Sequence, residues 1–355
     1  MRNDKISIKS WRRSAEDLAE FVNRIWEHSY AGKMPFPHWT AEHLRWQLRM
    51  EGSTESRNLL AAYEGTNPVG VLLGTDSVFR SPAGIHPGSQ WSWLSVCPEH
   101  RGQGIAKALD RERVDRQEAA GARLIVSYRY VGSRHSLAER PDRICPSQKF
   151  HRKVSSSVRV LDPTRFRKWC SNRIQGLLAQ LAAPTSWIRL PRTSDSGIRD
   201  FSMGDLEACV ELLNASFSSC VLAIHWNNET LRHQLCGSSL SQTLILEDKG
   251  RISGLVNFHA LPYQDRTVEN IGLFDLIAFG NIPTDSKVRL INAALTRMTE
   301  HGIILAAKLR CGDTAAWPMA RARFIPQPAQ SFLVLQRIGD PVHIPSDARM
   351  HLLWR

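Results

Sequence analysis

Trp91-Ser-Trp-Leu-Ser-Val-Cys-Pro-Glu-His-Arg-Gly-Gln-Gly-Ile-Ala-Lys-Ala-Leu109 is the stretch from which the rest of the chain can be read. Trp91 to Val96 is a short bulky apolar run stopped by Pro98, which predicts a buried strand. Arg101-Gly102-Gln103-Gly104 is a tight loop, and Ile105 opens a helix that closes at Gly121. Without Cβ atoms, Gly102 and Gly104 let the backbone bend sharply and bring its N–H groups close to a ligand. Those groups stand at a helix N-terminus, where unpaired donors and the helix dipole favour an anion. Strand, glycine loop and helix start together predict a pyrophosphate cradle.

Spacing separates this cradle from its relatives. The Gly-Lys-Ser/Thr ending of the Walker loop is missing, and so is the third glycine of the dinucleotide fingerprint. What is present, Val96-x-Pro98-x-x-Arg101-Gly102-x-Gly104-Ile105-Ala106, closely resembles the acyl-CoA-binding motif of the GNAT superfamily of N-acyltransferases, whose core is Arg/Gln-x-x-Gly-x-Gly/Ala. The resemblance implies an α/β (α+β) fold in which a mixed, largely antiparallel sheet is flanked by helices. It also implies acetyl-CoA or another acyl-CoA as co-substrate. Leu94, Ser95, Val96, Arg101, Gly102, Gln103, Gly104, Ile105 and Ala106 would bind it.

At 355 residues the chain is too long for one such domain, and its length suggests two. With 42% hydrophobic and 23% charged residues, its composition is that of a soluble globular protein. The start, Met1-Arg-Asn-Asp-Lys-Ile-Ser7, lacks a signal-peptide core, and no apolar run approaches membrane-spanning length. Seven scattered cysteines form neither a metal-type pairing nor a disulfide framework, so free thiols in a cytoplasmic setting are expected, with no metal. The net charge of +12 points to an acidic partner. No zinc-finger or RNP motif supports nucleic acid, whereas the phosphates of coenzyme A fit the cradle.

In chain order, Ile6 to Ser10 reads as a strand, Asp17 to His28 as a helix, and Tyr30 to Trp39 as an aromatic, proline-broken loop. A second helix is expected from Ala41 to Met50 with Thr40 as N-cap, followed by a hairpin of Leu59–Tyr63 and Val69–Gly74. Leu124 to Tyr130 is the strand after the cradle helix. That helix is weakly amphipathic, because Glu112, Arg113 and Arg116 interrupt its apolar stripe.

The same order then returns. His38-Trp39-Thr-Ala-Glu42-His-Leu44-Arg45-Trp-Gln47-Leu48 reappears as His225-Trp226-Asn-Asn-Glu229-Thr-Leu231-Arg232-His-Gln234-Leu235, seven of eleven positions identical at an offset of 187. A hairpin of Leu244–Glu247 and Ile252–Phe258, a strand from Asn270 to Phe279, a helix from Ser286 to His301 and a strand from Ile303 to Ala307 follow. The second copy has Gly280 to Ser286 where the cradle should be, without the signature, so one acyl-CoA site is expected. Arg165 to Ala182 reads as a basic helix and Ala183 to Gly197 as a linker. The expected division is residues 1–162 as the catalytic domain, 163–196 as basic helix and linker, and 197–355 as a degenerate second domain with its tail.

A tandem pair with one live half resembles the N-myristoyltransferase architecture. Phe36-Pro-His-Trp-Thr-Ala-Glu-His-Leu-Arg-Trp-Gln-Leu48 is similar to that family's aromatic loop and Glu-Phe-Leu-x-Trp-Ala-Leu helix. Trp93-Leu-Ser-Val96 stands for its Phe-Leu-Cys-Val, Phe150-His151-Arg152 for Trp-His-Arg, and Phe258-His-Ala-Leu-Pro262 for Phe-Tyr-x-Leu-Pro. The paired glycines depart from that family and look more like an ordinary acetyltransferase. By resemblance, the backbone N–H groups of Trp93 and Leu94 would hold the oxyanion. His151 stands where many GNAT enzymes place the tyrosine that protonates the thiolate; simple packing is its other reading. The Arg355 carboxylate would take the acceptor's proton, or else the apolar tail Met350-His-Leu-Leu-Trp-Arg355 simply docks as a strand. The expected function is N-acyl transfer to an amine, a small molecule or a peptide N-terminus, without a membrane partner. The alternatives are a longer-chain N-acyltransferase and a non-catalytic acyl-CoA sensor.

Overall fold

The structure is a computed structural model that describes residues 6–50, 56–130, 148–182, 197–338 and 343–354. The first repeat comprises β1 (Ile6–Ser10), α1 (Ala15–Tyr30), β2 (Phe36–Pro37), α2 (Ala41–Leu48), β3 (Leu59–Glu64), β4 (Asn67–Ser81), β5 (Gly84–Val96), α3 (Ile105–Ala119), β6 (Leu124–Tyr130) and β7 (Gln148–Val160). Helices α4 (Pro163–Trp169) and α5 (Arg173–Ala182) follow. The second repeat comprises β8 (Ile198–Asp200), α6 (Leu206–Ser216), β9 (Leu222–Ile224), α7 (Asn228–Cys236), β10 (Ser241–Asp248), β11 (Arg251–Gln264), β12 (Val268–Phe279), α8 (Thr284–Glu300), β13 (Leu305–Arg310), α9 (Ala316–Arg321), β14 (Ile325–Pro326) and β15 (Ser331–Arg337). The tail adds β16 (Met350–His351).

One mixed sheet runs through both repeats in the order β1-β3-β4-β5-β6-β15-β7-β13-β12-β11-β10-β8. Neighbours on this path are antiparallel except β5–β6 and β12–β13, which are parallel. Read from either end, the order is the same with one repeat's strands replaced by the other's. The repeats have exchanged their last strands: β15 pairs with β6, β7 pairs with β13, and β7 and β15 pair with each other at the centre. The short strands repeat the exchange, β2 joining β11 and β9 joining β4.

Local chemistry accounts for the helices. Ser14 and Asp17 form a capping box on α1, and Thr40 Oγ1 accepts the His43 N–H at the start of α2. One face of α1 (Leu18, Val22, Ile25, Trp26) packs with Leu44 and Leu48 of α2 against Leu59, Leu73 and Trp93 of the sheet. On the other side, Ile105 and Leu109 of α3 pack on Leu60, Leu72 and Trp91.

Three features differ from the sequence reading. Strands β4 and β5 are much longer than the apolar runs, because β4 continues to Ser81 and β5 starts at Gly84. Polar residues alternate through that extension, so hydrophobicity alone does not mark it. The basic segment is two helices, not one: Cys170 closes α4, and the Asn172 side chain accepts the Gln175 N–H to begin α5. The weak stripe of α3 reflects a polar inner face. Asp110, Arg113 and Gln117 are buried, with Arg113 paired to Asp110, bonded to Gln336 and lying over the Trp91 ring, while Gln117 donates to Asn58. Each of these side chains has at least one partner, which offsets part of the cost of its burial.

Candidate active site

The site is built on the outer end of β5. That strand pairs with β6 only from Gly88–Leu124 to Trp91–Ser127; beyond this point the two diverge, and β6 continues to Tyr130 paired with β15. On its other edge β5 is interrupted as well. Val71 faces Ser95 and Leu73 faces Ser92, so Trp93 and Leu94 together stand opposite Leu72. This is a β-bulge, and Trp93 occupies it with φ of 54°. A buried tryptophan held in the left-handed region is a strained conformation, of the kind that concentrates at functional sites. The bulge takes Trp93 and Leu94 out of the regular β4 ladder, in the mouth of the strand opening.

The cradle follows directly. A single turn at Pro98–His100 leads into Arg101, and Gly102 and Gly104 adopt φ of 81° and 83°. Gly104 is the N-cap of α3 and supplies no side chain to the first-turn N–H groups. A Cβ added at Gly102 or Gly104 would meet nothing within 4 Å, so the loop is open at both positions. Lys107 and the absence of acidic residues in the first turn add to the attraction for an anion. Gln103 is exposed at the loop, Ile105 is buried in the sheet packing, and Ala106 is half-buried. The Arg101 side chain turns inward: Nε donates to Val96 O at 3.1 Å and a terminal nitrogen to Ser29 Oγ at 2.8 Å. It ties α1 to the bulged strand, leaving only its backbone to the loop. Ser95 is likewise engaged, accepting from Trp26 Nε1 at 2.9 Å.

Burial pushes the Cys97 thiol up, as befits a packing residue. Among the described residues, Cys97, Glu99 and His100 bring ligand-type atoms within 4.8 Å of one another beside the loop. His100 also lies 3.3 Å from Glu64.

An aromatic chamber closes the opening from the other side. Trp93 meets Trp39 at 5.0 Å, edge to face, and Trp39 stacks on Trp354 at 6.4 Å. Trp354 also lies against the rings of Tyr130 and Tyr263. Burial raises the phenol of Tyr130, and that of Tyr263 as well, so both are neutral hydroxyls near neutral pH. The tail is fixed just before this point. His351 Nδ1 faces Asp313 Oδ2 at 3.1 Å, its ring stacks on Phe217 at 3.6 Å, and Gln90 Nε2 donates to Leu353 O at 3.1 Å. Asp313 is buried, yet Lys308 and His351 outweigh the burial and hold it down at about 2. The terminal residue, Arg355, lies outside the described residues, as does most of the insertion between Arg129 and Lys149.

His151 is not brought to this chamber. It sits on β7, half-buried, at the irregular step opposite Leu333 and Val334. Burial and Arg152 lower its pKa. Three strand steps separate β7 from β5, roughly 14 Å across the sheet.

The second repeat builds the same frame and closes it. Its bulge falls at Asp275, between the Asn257–Leu276 and Phe258–Phe274 pairs. The buried carboxylate accepts from Gln234 Nε2 at 2.9 Å and faces His259 Nδ1 at 2.8 Å. The helix that follows, α8, opens on Pro283 and carries Asp285 in its first turn, where α3 has a glycine and no acid. A negative charge there opposes phosphate.

Sequence reasoning missed Asn23 and its counterpart Asn214. Asn23 bonds both backbone groups of Trp39 at 2.8 Å, and Asn214 does the same to Trp226 at 3.1 and 2.8 Å. The signal was obscured because the loop between clamp and tryptophan differs by four residues between copies.

No family model and no curated protein sequence matches the chain. Solved structures do. Saccharomyces cerevisiae N-myristoyltransferase with bound myristoyl-CoA superposes with a TM-score of 0.76 at 13% identity, covering 99% of this chain and 85% of that one. A second structure of that yeast enzyme gives 0.75 at 14% identity, with 99% and 90% covered. A conserved protein of unknown function from Enterococcus faecalis V583 gives 0.52 at 10% identity, with 93% and 71% covered. The chain therefore shares the fold of the N-myristoyltransferase structures over 99% of its length.

Proposed function

We propose that the chain is an acyl-CoA-dependent N-acyltransferase, with acetyl-CoA as the donor suggested by its paired-glycine loop. The observation that carries the reading is the succession along one strand of the β5–β6 opening, the Trp93–Leu94 bulge and the uncapped glycine loop at the start of α3. Pyrophosphate would lie on the loop N–H groups, and the thioester would enter the opening at the bulge. The acceptor amine attacks the thioester carbonyl, and charge developing on its oxygen is held by the N–H groups of Trp93 and Leu94. The C–S bond breaks, CoA leaves as the thiolate, and the amine nitrogen gives up a proton. The Arg355 carboxylate is our candidate to receive it, because Trp354 stands in the chamber beside Trp39.

A small cleft at the junction of the repeats, lined by Trp46, Gln90, Trp226, His233 and Leu353, is the proposed acceptor entrance. In this reading residues 1–162 carry the chemistry, 163–196 connect, and 197–355 contribute the tail and the acceptor wall. The chain's full-length likeness to a structure holding myristoyl-CoA supports a second reading with a longer acyl group.

Thiol release measured with acyl-CoA donors of increasing length and a panel of amines tests both. Release that depends on an amine is expected. CoA binding with no release from any donor would replace the enzyme with a non-catalytic acyl-CoA sensor.

A further inference from the structure

Helix α5 is built inside out. Its large aliphatic side chains, Ile174, Leu177, Leu178 and Leu181, recur at helical spacing on one face and are 72%, 48%, 61% and 65% exposed. Its seated side is made of small residues: Gly176 lies against Arg167 of α4, and Ala179 packs on the cluster of Phe166 and Trp169. A surface helix that merely covers a core points its leucines inward. Here the helix is anchored through glycine and alanine, and its leucines face away from the protein. A contiguous apolar stripe of that kind marks an interaction surface.

Charge and residue type say what covers it. From Pro163 to Ala182 the sequence holds Arg165, Arg167, Lys168 and Arg173 and no acidic residue. Arg167 bonds the Gln180 amide and so lies alongside the stripe. Lys168 and Arg173 are exposed and form no ion pair among the described residues. The carboxylates that reach this corner are engaged, Asp265 by the Ser171 N–H and Glu269 by Arg165. The stripe is purely aliphatic, without the tyrosine, tryptophan or arginine anchors that dominate protein interfaces. An aliphatic face rimmed by cations is the pattern of a helix lying in the boundary of an anionic bilayer.

We propose that α5 is a peripheral membrane contact: Ile174, Leu177, Leu178 and Leu181 enter the headgroup–acyl boundary, and Lys168 and Arg173 bind anionic lipid phosphates. The contact lies near the chamber. Trp169 Nε1 donates to Tyr263 O at 3.0 Å, and the Tyr263 ring lies against Trp354. A bilayer on α5 would thus be two side chains from the chamber, well placed to exchange an amphiphilic donor, acceptor or product. The sequence reading, which expected no membrane partner, had only spanning length to judge by.

The full chain is sedimented with phosphatidylcholine vesicles with and without phosphatidylglycerol. Wild type is expected to bind the anionic vesicles at least about tenfold more tightly than the neutral ones. Leu178→Glu/Leu181→Glu should reduce that binding to background, and Lys168→Glu/Arg173→Glu should remove the anionic preference. All these residues are exposed, so melting temperatures should stay at the wild-type value. Hydrogen exchange over residues 173–182 should slow when anionic vesicles are added. Wild type that ignores anionic vesicles overturns the proposal, as does binding indifferent to the Leu178→Glu/Leu181→Glu pair. A lipid-free dimer that the same variant dissociates overturns it in favour of a second copy. Protection of α5 already complete without lipid overturns it in favour of cover from this chain. None of these readouts depends on acyl transfer.

Discussion

Trp46 and His233 hold each other across the centre of the molecule: Trp46 Nε1 donates to the His233 carbonyl at 3.1 Å, and His233 Nε2 donates to the Trp46 carbonyl at 2.7 Å. They are the same position in the two repeats, 187 residues apart, so a pseudo-twofold axis passes between them. The two residue types differ, yet each places one N–H donor where the other's helix end offers a carbonyl. The axis joins α2 to α7 as the exchanged strands β7 and β15 join the sheet.

Trp46→Phe keeps most of the buried ring and removes one of the two bonds, leaving the His233 carbonyl with only the Gly237 N–H. The expected loss is about 1–2 kcal/mol of unfolding free energy in urea. His233→Ala should cost a similar amount, and the double variant less than the sum, since the two contacts share one junction. Strict additivity would show that the pair does not act as a unit.

His43 gives the fold a pH dependence whose sign is fixed. Burial first, and then the neighbouring His259, push it down to about 4. It stays neutral, with Nε2 bonded to Ala260 O at 2.7 Å and Nδ1 facing Thr40 Oγ1 at 2.8 Å. An unfolded histidine titrates near 6.5, so below that pH the unfolded chain binds a proton that the native state refuses. The stabilisation is complete above about pH 6.5 and is lost as pH falls toward the folded value. It declines by about 1.4 kcal/mol per unit, or ~2 kcal/mol by pH 5. Urea unfolding at about pH 7 and pH 5 on wild type and His43→Gln isolates this part. A variant with the full wild-type pH slope would assign the dependence elsewhere.

Gly104→Val tests the cradle. Valine at φ of 83° is strained by about 1–2 kcal/mol, and its side chain would add bulk at the N-cap of α3. Gly65→Val is the matched control, with φ of 61° and equally open surroundings in the β3–β4 turn. Both should lose similar stability, but only Gly104→Val should raise the dissociation constant for CoA, by about tenfold or more. Equal CoA affinity in the two variants would remove the cradle assignment.

How far the sequence carried the fold depended on what each element uses as its signal. The strands β1 and β6 and the start of α3 were legible to the residue, and the end of α3 to within two residues of Gly121, because apolar runs meet punctuation in the glycines and capping residues. The extension of β4 and β5 was not, since its pairing is backbone chemistry and its few apolar residues, Val78, Phe79 and Ile85, are scattered among Thr, Asp, Ser, Arg, Gly, His, Pro and Gln. The strand exchange was also illegible: β7 and β15 would read the same in either place. In the site, the glycine loop announces itself because φ near 80° selects glycine. The bulge does not, because a backbone N–H can belong to any residue, and at Trp93 the strain is met by tryptophan. Arg101 matched a motif, yet its side chain works inside the fold. His151 matched by position and stands three strands away, a distance set by the inserted β15.

One CoA per chain is expected by titration calorimetry. The second frame offers Pro283 and Asp285 at its helix start, and Asp275 already occupies its bulge with Gln234 and His259. A stoichiometry of two would mean that this polar plug opens for ligand.

The last test concerns the terminal carboxylate. The tail is anchored by β16 on β9, by His351 on Asp313 and by Gln90 on the Leu353 carbonyl, and it leads Trp354 into the chamber formed with Trp39, Tyr130 and Tyr263. Arg355, whose carboxylate is the proposed base, follows Trp354 in the sequence. By resemblance to the N-myristoyltransferases, that carboxylate would take the proton of the attacking amine. Appending two glycines shifts the charge along the chain and leaves Leu352, Leu353 and Trp354 able to pack as before. Turnover should fall by about a hundredfold, the usual scale for a displaced general base, while CoA affinity and melting temperature stay at wild-type values. Arg355→Ala, which keeps the carboxylate in place and discards the guanidinium, should retain turnover. If the glycine-extended enzyme turns over at the full rate, the tail is a docking strand and the base must be sought elsewhere in the cleft.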